Sequence, residues 1–210
     1  MQNGDILACC NTTQMVAVPQ PSNDSMYYRD SSYIELYDFD NCTGIFFNPI
    51  TIPYPQPYGL CFSSDNSKLY ALPADAIFFS PGMANQFVQF DLSNYNQSAI
   101  ISSKTILQYG VTMGTFQTAI DGKIYVADVD TMLSDQGYYR LSVINNPNEV
   151  VSLCNLQVEQ LFLEGKTHYT GLPYWPDSYF RSYNYSLCDN SVEQNEYEQH
   201  QIALYPNPCT

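Results

Sequence analysis

The sequence predicts an all-β protein of short antiparallel strands in repeated units, and three observations carry that reading. The 210 residues include 19 Tyr, 11 Phe, 13 Pro and 10 Gly, a composition that favours short strands and many turns over long helices. Helical periodicity is weak throughout; only Glu193–Gln201 looks mildly helical, and it reads better as a polar linker. The chain also repeats itself at a nearly fixed interval.

Taken in order, the first copy opens with Tyr33-Ile-Glu-Leu-Tyr-Asp-Phe-Asp40, a strand that stops at the polar turn Asn41-Cys-Thr-Gly44. Tyr58-Gly-Leu-Cys-Phe-Ser-Ser-Asp-Asn-Ser-Lys-Leu-Tyr-Ala71 follows as two apolar strands around a turn. The second copy has Gln86-Phe-Val-Gln-Phe-Asp91, then Gly114-Thr-Phe-Gln-Thr-Ala-Ile-Asp-Gly-Lys-Ile-Tyr-Val-Ala127. The third has Tyr139-Arg-Leu-Ser-Val-Ile-Asn-Asn-Pro147, then Gly171-Leu-Pro-Tyr-Trp175.

The intervals agree: Asp40 to Asp91 is 51 residues, Asp91 to Asn145 is 54, Gly59 to Gly114 is 55 and Gly114 to Gly171 is 57. Gly59 to Lys68 and Gly114 to Lys123 are both nine residues. Asp-Asn-Ser-Lys and Asp121-Gly122-Lys123 are turn sequences, because Asp accepts local backbone bonds and Gly or Asn takes positive φ. Lys123-Ile-Tyr-Val-Ala127, with Tyr125 matching Tyr70, is a short β-branched strand. Gly59, Gly114 and Gly171 are read as preceding apolar strands, where a side chain would crowd a neighbouring backbone.

A period of this length with about four strands per copy suits a β-propeller blade of kelch, YVTN or WD40 type. The copies fall at about 26–74, 75–130 and 131–188, so residues 1–188 are expected to form about three to four four-stranded blades of an incomplete propeller. Residues 189–201 are a polar linker. Propellers close with about four to eight blades, and a partial ring leaves faces bare and edges unpaired. The chain is therefore expected to be a piece of a longer one.

Charge and cysteine content set further bounds. Seven basic against 21 acidic residues give a net charge of −14, which argues against nucleic acid and against docking on an anionic membrane face. No apolar run approaches the roughly 18 residues of a membrane span. Met1–Cys10 has no basic residue and carries Asp5, so no signal peptide is read, and Ile6-Leu-Ala-Cys9 lacks the regions that precede a lipobox. The seven cysteines, Cys9, Cys10, Cys42, Cys61, Cys154, Cys188 and Cys209, show no CxxC pattern, and neither histidine stands at a metal spacing from one. Free thiols and one or two disulfides both remain open.

Three features together resemble a known family. They are the Asp121–Ala127 signature, the stretch Leu141-Ser-Val-Ile-Asn-Asn-Pro-Asn148 leading to Gly171-Leu-Pro173, and the tail Leu204-Tyr-Pro-Asn-Pro-Cys-Thr210. They are similar to secreted β-propeller proteins of Bacteroidetes that carry a C-terminal type IX secretion (Por) sorting domain. In that family the sorting domain typically opens with Tyr-Pro-Asn-Pro, here Tyr205, Pro206, Asn207 and Pro208. The resemblance implies that residues 202–210 begin a truncated sorting domain and that the type IX machinery is a partner through this tail. It also implies that the whole protein is secreted or displayed on the outer-membrane surface.

Catalytic residues are scarce. His168, in Gly165-Lys-Thr-His-Tyr-Thr170, reads as a loop residue ahead of the Gly171 strand, and His200 lies in the linker. Asp38/Asp40 and Asp128/Asp130 are i, i+2 pairs that would point the same way along a strand, as glycosidase-type carboxylates or weak calcium ligands. Read blandly, they end strands and start turns. Tyr54, Tyr58, Tyr174, Trp175 and Tyr179 could line a sugar platform or fill the space between blades. Asn-x-Ser/Thr at Asn11, Asn23, Asn41, Asn96 and Asn184 reads as chance, and Asp24-Ser-Met26 and Asp130-Thr-Met132 match a short O-glycosylation pattern of Bacteroidetes exported proteins.

The expectation is a non-enzymatic binding or adhesion scaffold with an unknown protein or glycan ligand and no cofactor. The alternatives are a carboxylate- and calcium-dependent propeller hydrolase or lactonase-like enzyme, and a spacer module of a larger secreted protein.

Overall fold

A computed structural model describes residues 5–11, 16–19, 26–29, 32–40, 43–74, 86–130, 139–168 and 171–172. They form thirteen strands and one short helix. The first sheet holds β1 (Asp5–Asn11), β4 (Tyr33–Asp40) and β5 (Ile45–Pro53), while β2 (Val16–Pro19) and β3 (Met26–Arg29) make a separate hairpin inserted between β1 and β4. The second sheet is β6 (Pro57–Phe62), β7 (Lys68–Pro73), β8 (Gln86–Asp91) and β9 (Thr105–Tyr109). The third is β10 (Val111–Thr118), β11 (Ile124–Asp130), β12 (Arg140–Ile144) and β13 (Leu156–Phe162). All pairings are antiparallel, and the fold is all-β; among the described residues the three sheets do not close on one another.

Alternation along the strands explains why the sheets stack. In β7, Leu69 and Ala71 enter one core with Ile34, Leu36 and Ile52 of the first sheet, while Tyr70 and Leu72 enter a second core with Phe116, Ile124, Val126 and Ile144 of the third. Successive side chains of a strand leave on opposite faces, so a sheet covered on both sides needs an unbroken apolar run. Lys68-Leu-Tyr-Ala-Leu-Pro73 is such a run, and every residue in it is buried. Each large aliphatic side chain sealed there contributes about 1.5–3 kcal/mol.

The turns follow their residues. Ser63 N–H donates to the Lys68 carbonyl around a loop with Asn66 at φ 59°, and Ala119 N–H donates to the Lys123 carbonyl around a loop with Gly122 at φ 76°. The equal nine-residue spacing from glycine to lysine conceals a difference in register. The second loop is one residue shorter; both strands carry a bulge, between Pro57 and Gly59 in β6 and between Thr112 and Thr115 in β10, and Gly59 follows its bulge while Gly114 lies within its own. Gly59 pairs with Leu72, but its register counterpart opposite Ala127 is Thr115.

Several details differ from the sequence reading. Gly59 and Gly114 lie inside β6 and β10 instead of ahead of them, because those strands start at Pro57 and Val111. The repeat copies straddle the sheets: β4 and β5 belong with β1, while Tyr58–Ala71 lies in the next sheet. A six-residue helix, α1 (Gln97–Ser102), stands in the connection from β8 to β9. Asn96 caps it, its side chain accepting from Ser98 and Ala99 N–H, and Ile100 plugs it into the first core. Glu193–Gln201 lies outside the described residues. No helix among the described residues is long and apolar enough to cross a membrane.

Candidate functional site

Equivalent strands place three long connections at one end of the sheets, while those from Asp91 to Thr105 and from Ile144 to Leu156 lie at the other. β1, β7 and β11 lead into β4, β8 and β12 respectively, and the chain between them runs from Asn11 to Tyr33, from Pro73 to Gln86 and from Asp130 to Arg140. Strands alternate in direction, so these three connections leave from the same end. The short links Tyr54-Pro-Gln56 and Gly110, between one sheet and the next, lie there too.

Described side chains frame that end. Asn11 donates to the Tyr33 hydroxyl at 2.7 Å, and Gln56 donates to the Ser32 hydroxyl at 3.3 Å. Ala74 N–H donates to the Gln56 carbonyl. Two tyrosines open to solvent beside them: Tyr58 is 44% exposed and Tyr109 is 62% exposed. An exposed phenol combines a flat apolar face with a polar tip, which suits sugar rings and peptide alike. Tyr109 was not singled out by sequence; its place at the end of β9 beside Gly110 is the signal that finds it.

Other candidates turn out to hold the sheets together. Tyr54 is buried, stands edge-on to Phe90, and donates to the carbonyls of Gln86 at 2.7 Å and Ala71 at 3.2 Å. Burial pushes its phenol up. Tyr70 donates to the Pro147 carbonyl at 2.8 Å across to the third sheet and accepts from Gln89 at 2.7 Å. Gln89 also donates to the Glu149 carbonyl at 2.8 Å. Tyr125, at the matching register position, instead donates to Asp121 at 2.9 Å, and Asp121 also accepts from Lys123 N–H. Lys68 is buried along its stem and pairs with Asp91 at 3.2 Å.

A Cβ built on Gly59 would overlap the carbonyl oxygen of Gly114 and stand 3.1 Å from Cε2 of Phe116. Gly171 lies beside Thr115, whose hydroxyl accepts from Leu172 N–H at 2.8 Å. Gly59 of β6 thus meets Gly114 of β10, and Gly171 lies beside Thr115 of β10.

The Asp38/Asp40 pair is occupied locally. Asp40 accepts from Thr43 Oγ1 at 2.7 Å and from Thr43 N–H at 3.4 Å, closing the turn to β5. Asp38 accepts from Asn48 at 2.8 Å, and burial together with the Asp38 charge pushes the Tyr95 phenol up. Asp128 and Asp130 end β11, and their side chains lie outside the description. Among the described residues no three His, Cys, Asp or Glu converge as metal ligands would.

His168 is buried, and its Nε2 lies 2.8 Å from the Arg140 carbonyl, so this nitrogen carries the proton and donates. Among the described residues Cys9, Cys10, Cys61 and Cys154 are not joined in disulfides. Partial desolvation, with the neighbouring Cys9, pushes the Cys10 thiol up to about 11, and desolvation also raises Cys9 and Cys154. Cys42, Cys188, Cys209, His200, Tyr174, Trp175, Tyr179, Asp24-Ser-Met26, Thr131–Met132 and the tail Tyr205–Pro208 do not carry described side chains.

No protein-family model matches the chain, and no curated protein matches its sequence.

Proposed function

We propose that the three sheets are consecutive blades of a β-propeller and that the chain is an exported, non-enzymatic binding or adhesion scaffold. The blade reading is supported by the repeated strand order, by the two cores between neighbouring sheets, and by the approach of Gly59 to the Gly114 backbone. The binding reading rests on one observation. The longest connection within a sheet, from Asn11 to Tyr33, shares an end with the exposed rings of Tyr58 and Tyr109. A rigid stack that sets a long connection beside exposed aromatic rings presents them together as a recognition surface.

The tail Tyr205-Pro-Asn-Pro208 is read as the opening of a type IX sorting signal, so the scaffold works at the cell surface or beyond it. Its ligand is a glycan or a protein. A binding screen against immobilised glycans and surface proteins, run with the chain and with Tyr58→Ala/Tyr109→Ala, tests this. The expected result is a ligand that the double variant binds at least roughly tenfold more weakly, the loss of two aromatic contacts. A blank screen, or retention of every ligand by a folded double variant, would count decisively against the end that carries Tyr58 and Tyr109.

A further inference from the structure

The two ends of the sheets differ in chemistry. At the end opposite Tyr58 and Tyr109, Asp40, Asp65, Asp91 and Asp121 sit in turns, and each accepts hydrogen bonds from neighbouring Thr, Ser or Lys groups. The end that carries the tyrosines presents a cation on an aromatic ring instead. Arg140 opens β12 and Phe162 closes β13, and antiparallel pairing sets them opposite each other there. The Arg140 guanidinium lies over the Phe162 ring, with Cζ 5.3 Å from the centroid, and one of its nitrogens donates to the Glu159 carbonyl at 3.3 Å. Buried His168 holds the Arg140 carbonyl in turn.

A bulge brings the Glu159 carbonyl to this place. Leu141 pairs with Leu161 and Val143 with Gln157, so Val158, Glu159 and Gln160 all stand opposite Ser142. Glu159 takes φ 48°, a left-handed conformation unfavourable for residues other than glycine, and its N–H donates to the Ser142 hydroxyl. Bulges of this kind re-aim groups beside binding sites. Among the described residues Arg140 meets no carboxylate, although the chain holds 21 acidic residues against 7 basic; the one ion pair there is Lys68–Asp91, at the other end. Phe162 is 51% and Tyr139, just before Arg140, 40% exposed. Lys166 is exposed in the turn after β13, which also carries Glu164.

We propose that Arg140 and Phe162 form a subsite for a uronic acid, the carboxylate-bearing unit of an acidic glycan. A guanidinium fixed by one ring face and one carbonyl keeps its remaining N–H donors, and a planar carboxylate accepts two of them side by side. The exposed Phe162 and Tyr139 rings supply flat apolar surface for the C–H face of the sugar. With a net charge of −14 the chain has no general attraction for a polyanion, so recognition falls to these fixed contacts. The subsite rests on the reading of this end as a binding surface and names the chemistry of its ligand.

Calorimetric titration of the full chain with polygalacturonate, alginate and hyaluronate tests it, with the methyl ester of each polymer and polyglutamate as comparisons. Binding of at least one uronate polymer is expected, and esterification should weaken it at least roughly tenfold. Arg140→Gln, at an exposed side chain, should keep the β-sheet spectrum and weaken binding to the same degree. Arg140→Lys keeps the charge but should not bind as the parent does, because an ammonium offers no planar pair of donors. Absence of binding to all three polymers, equal binding of the esters, undiminished binding by either variant, or a preference for polyglutamate overturns the subsite. Failure of the wider reading shows differently. A neutral ligand lost in Tyr58→Ala/Tyr109→Ala and kept by Arg140→Gln leaves the binding surface standing without the subsite, whereas no ligand of any kind removes both.

Discussion

Gly59→Ala tests the stacking of the second and third sheets most directly. On the backbone alone the change is favourable, because Ala in a strand loses less entropy on folding than Gly, by about 0.5–1 kcal/mol. The surroundings reverse the sign. The new methyl would overlap the Gly114 carbonyl oxygen and press on the Phe116 ring, at 3.1 Å from Cε2 and 3.2 Å from Cδ2. Neither neighbour yields easily: the carbonyl belongs to β10, which β11 holds by its ladder, and Phe116 is buried against Phe87 at 5.6 Å between centroids. Overpacking of this kind costs about 1–3 kcal/mol, and an obstructing backbone puts it at the upper end. The net loss should be about 2 kcal/mol, or roughly 4–8 °C in Tm for a chain of this size. Two controls separate the causes. Among the described residues Gly171→Ala meets Thr115 Oγ1 alone, at 3.8 Å, and should be neutral. Gly122→Ala has open space but sits at φ 76°, so it should lose about 1–2 kcal/mol from the backbone alone. Thermal and urea denaturation followed by circular dichroism read all three. A Gly59→Ala protein as stable as its parent would refute the close approach of β6 and β10.

Other expectations follow from single contacts. Tyr70→Phe removes the donor to the Pro147 carbonyl and one acceptor of Gln89, and should cost about 1–3 kcal/mol in urea denaturation, since a buried carbonyl is left without that bond. Lys68→Met, by contrast, breaks a pair whose Asp91 end is 43% exposed, and should cost no more than about 1 kcal/mol. Hydrogen bonds from Ser93, against partial burial and helped by Lys68, hold the Asp91 carboxyl below its ordinary 3.8. For Asp65, bonds from Ser67 and Ser63 outweigh burial and have the same result. Carboxyls lowered by folding stabilise above the unfolded value and lose that contribution as pH falls through the folded one. Stability should therefore be flat near neutrality and fall below about pH 4, and Asp65→Asn/Asp91→Asn should flatten the fall in pH-dependent urea denaturation.

What the sequence disclosed depended on whether the information sat in side chains. Turns were legible because Asp, Asn and Gly at Asp65-Asn66 and Asp121-Gly122 encode local hydrogen bonds and positive φ. The ends of β4 and β8 were legible because Asp40 and Asp91 close their turns with their own carboxylates. The phase of the repeat was hidden, since a periodic sequence does not say which strand begins a sheet. The register offset of the glycines was hidden for a related reason: only strand pairing shows that Gly59 follows the bulge of β6 while Gly114 lies within that of β10. Helix α1 was too short for periodicity, and its Asn96 cap looked like a chance Asn-x-Ser. At the candidate site, Tyr54 and Tyr58 both lie in Pro53-Tyr-Pro-Gln-Pro-Tyr58, yet one is sealed in the core and the other faces water. Only the course of the chain between two sheets separates them.

The distribution of burial explains why the same strand sequence can be a core in one place and a surface in another. β7 is closed off because it has a strand on either side and a sheet on either face. β1 repeats its position with one neighbouring strand and one covered face among the described residues, and its alternate residues Leu7 and Ala8 divide accordingly between water and the first core. In a stack of this kind the stabilising free energy resides in the joins between sheets more than in any sheet alone. Tyr70 and Gln89 illustrate the point, since they meet the Pro147 and Glu149 carbonyls of the next sheet, which mutual hydrogen bonding within one sheet would never reach. A repeat therefore becomes stable by acquiring a neighbour. The apolar side chains on the outer face of the first sheet have the composition of a join that the described part of one chain does not make.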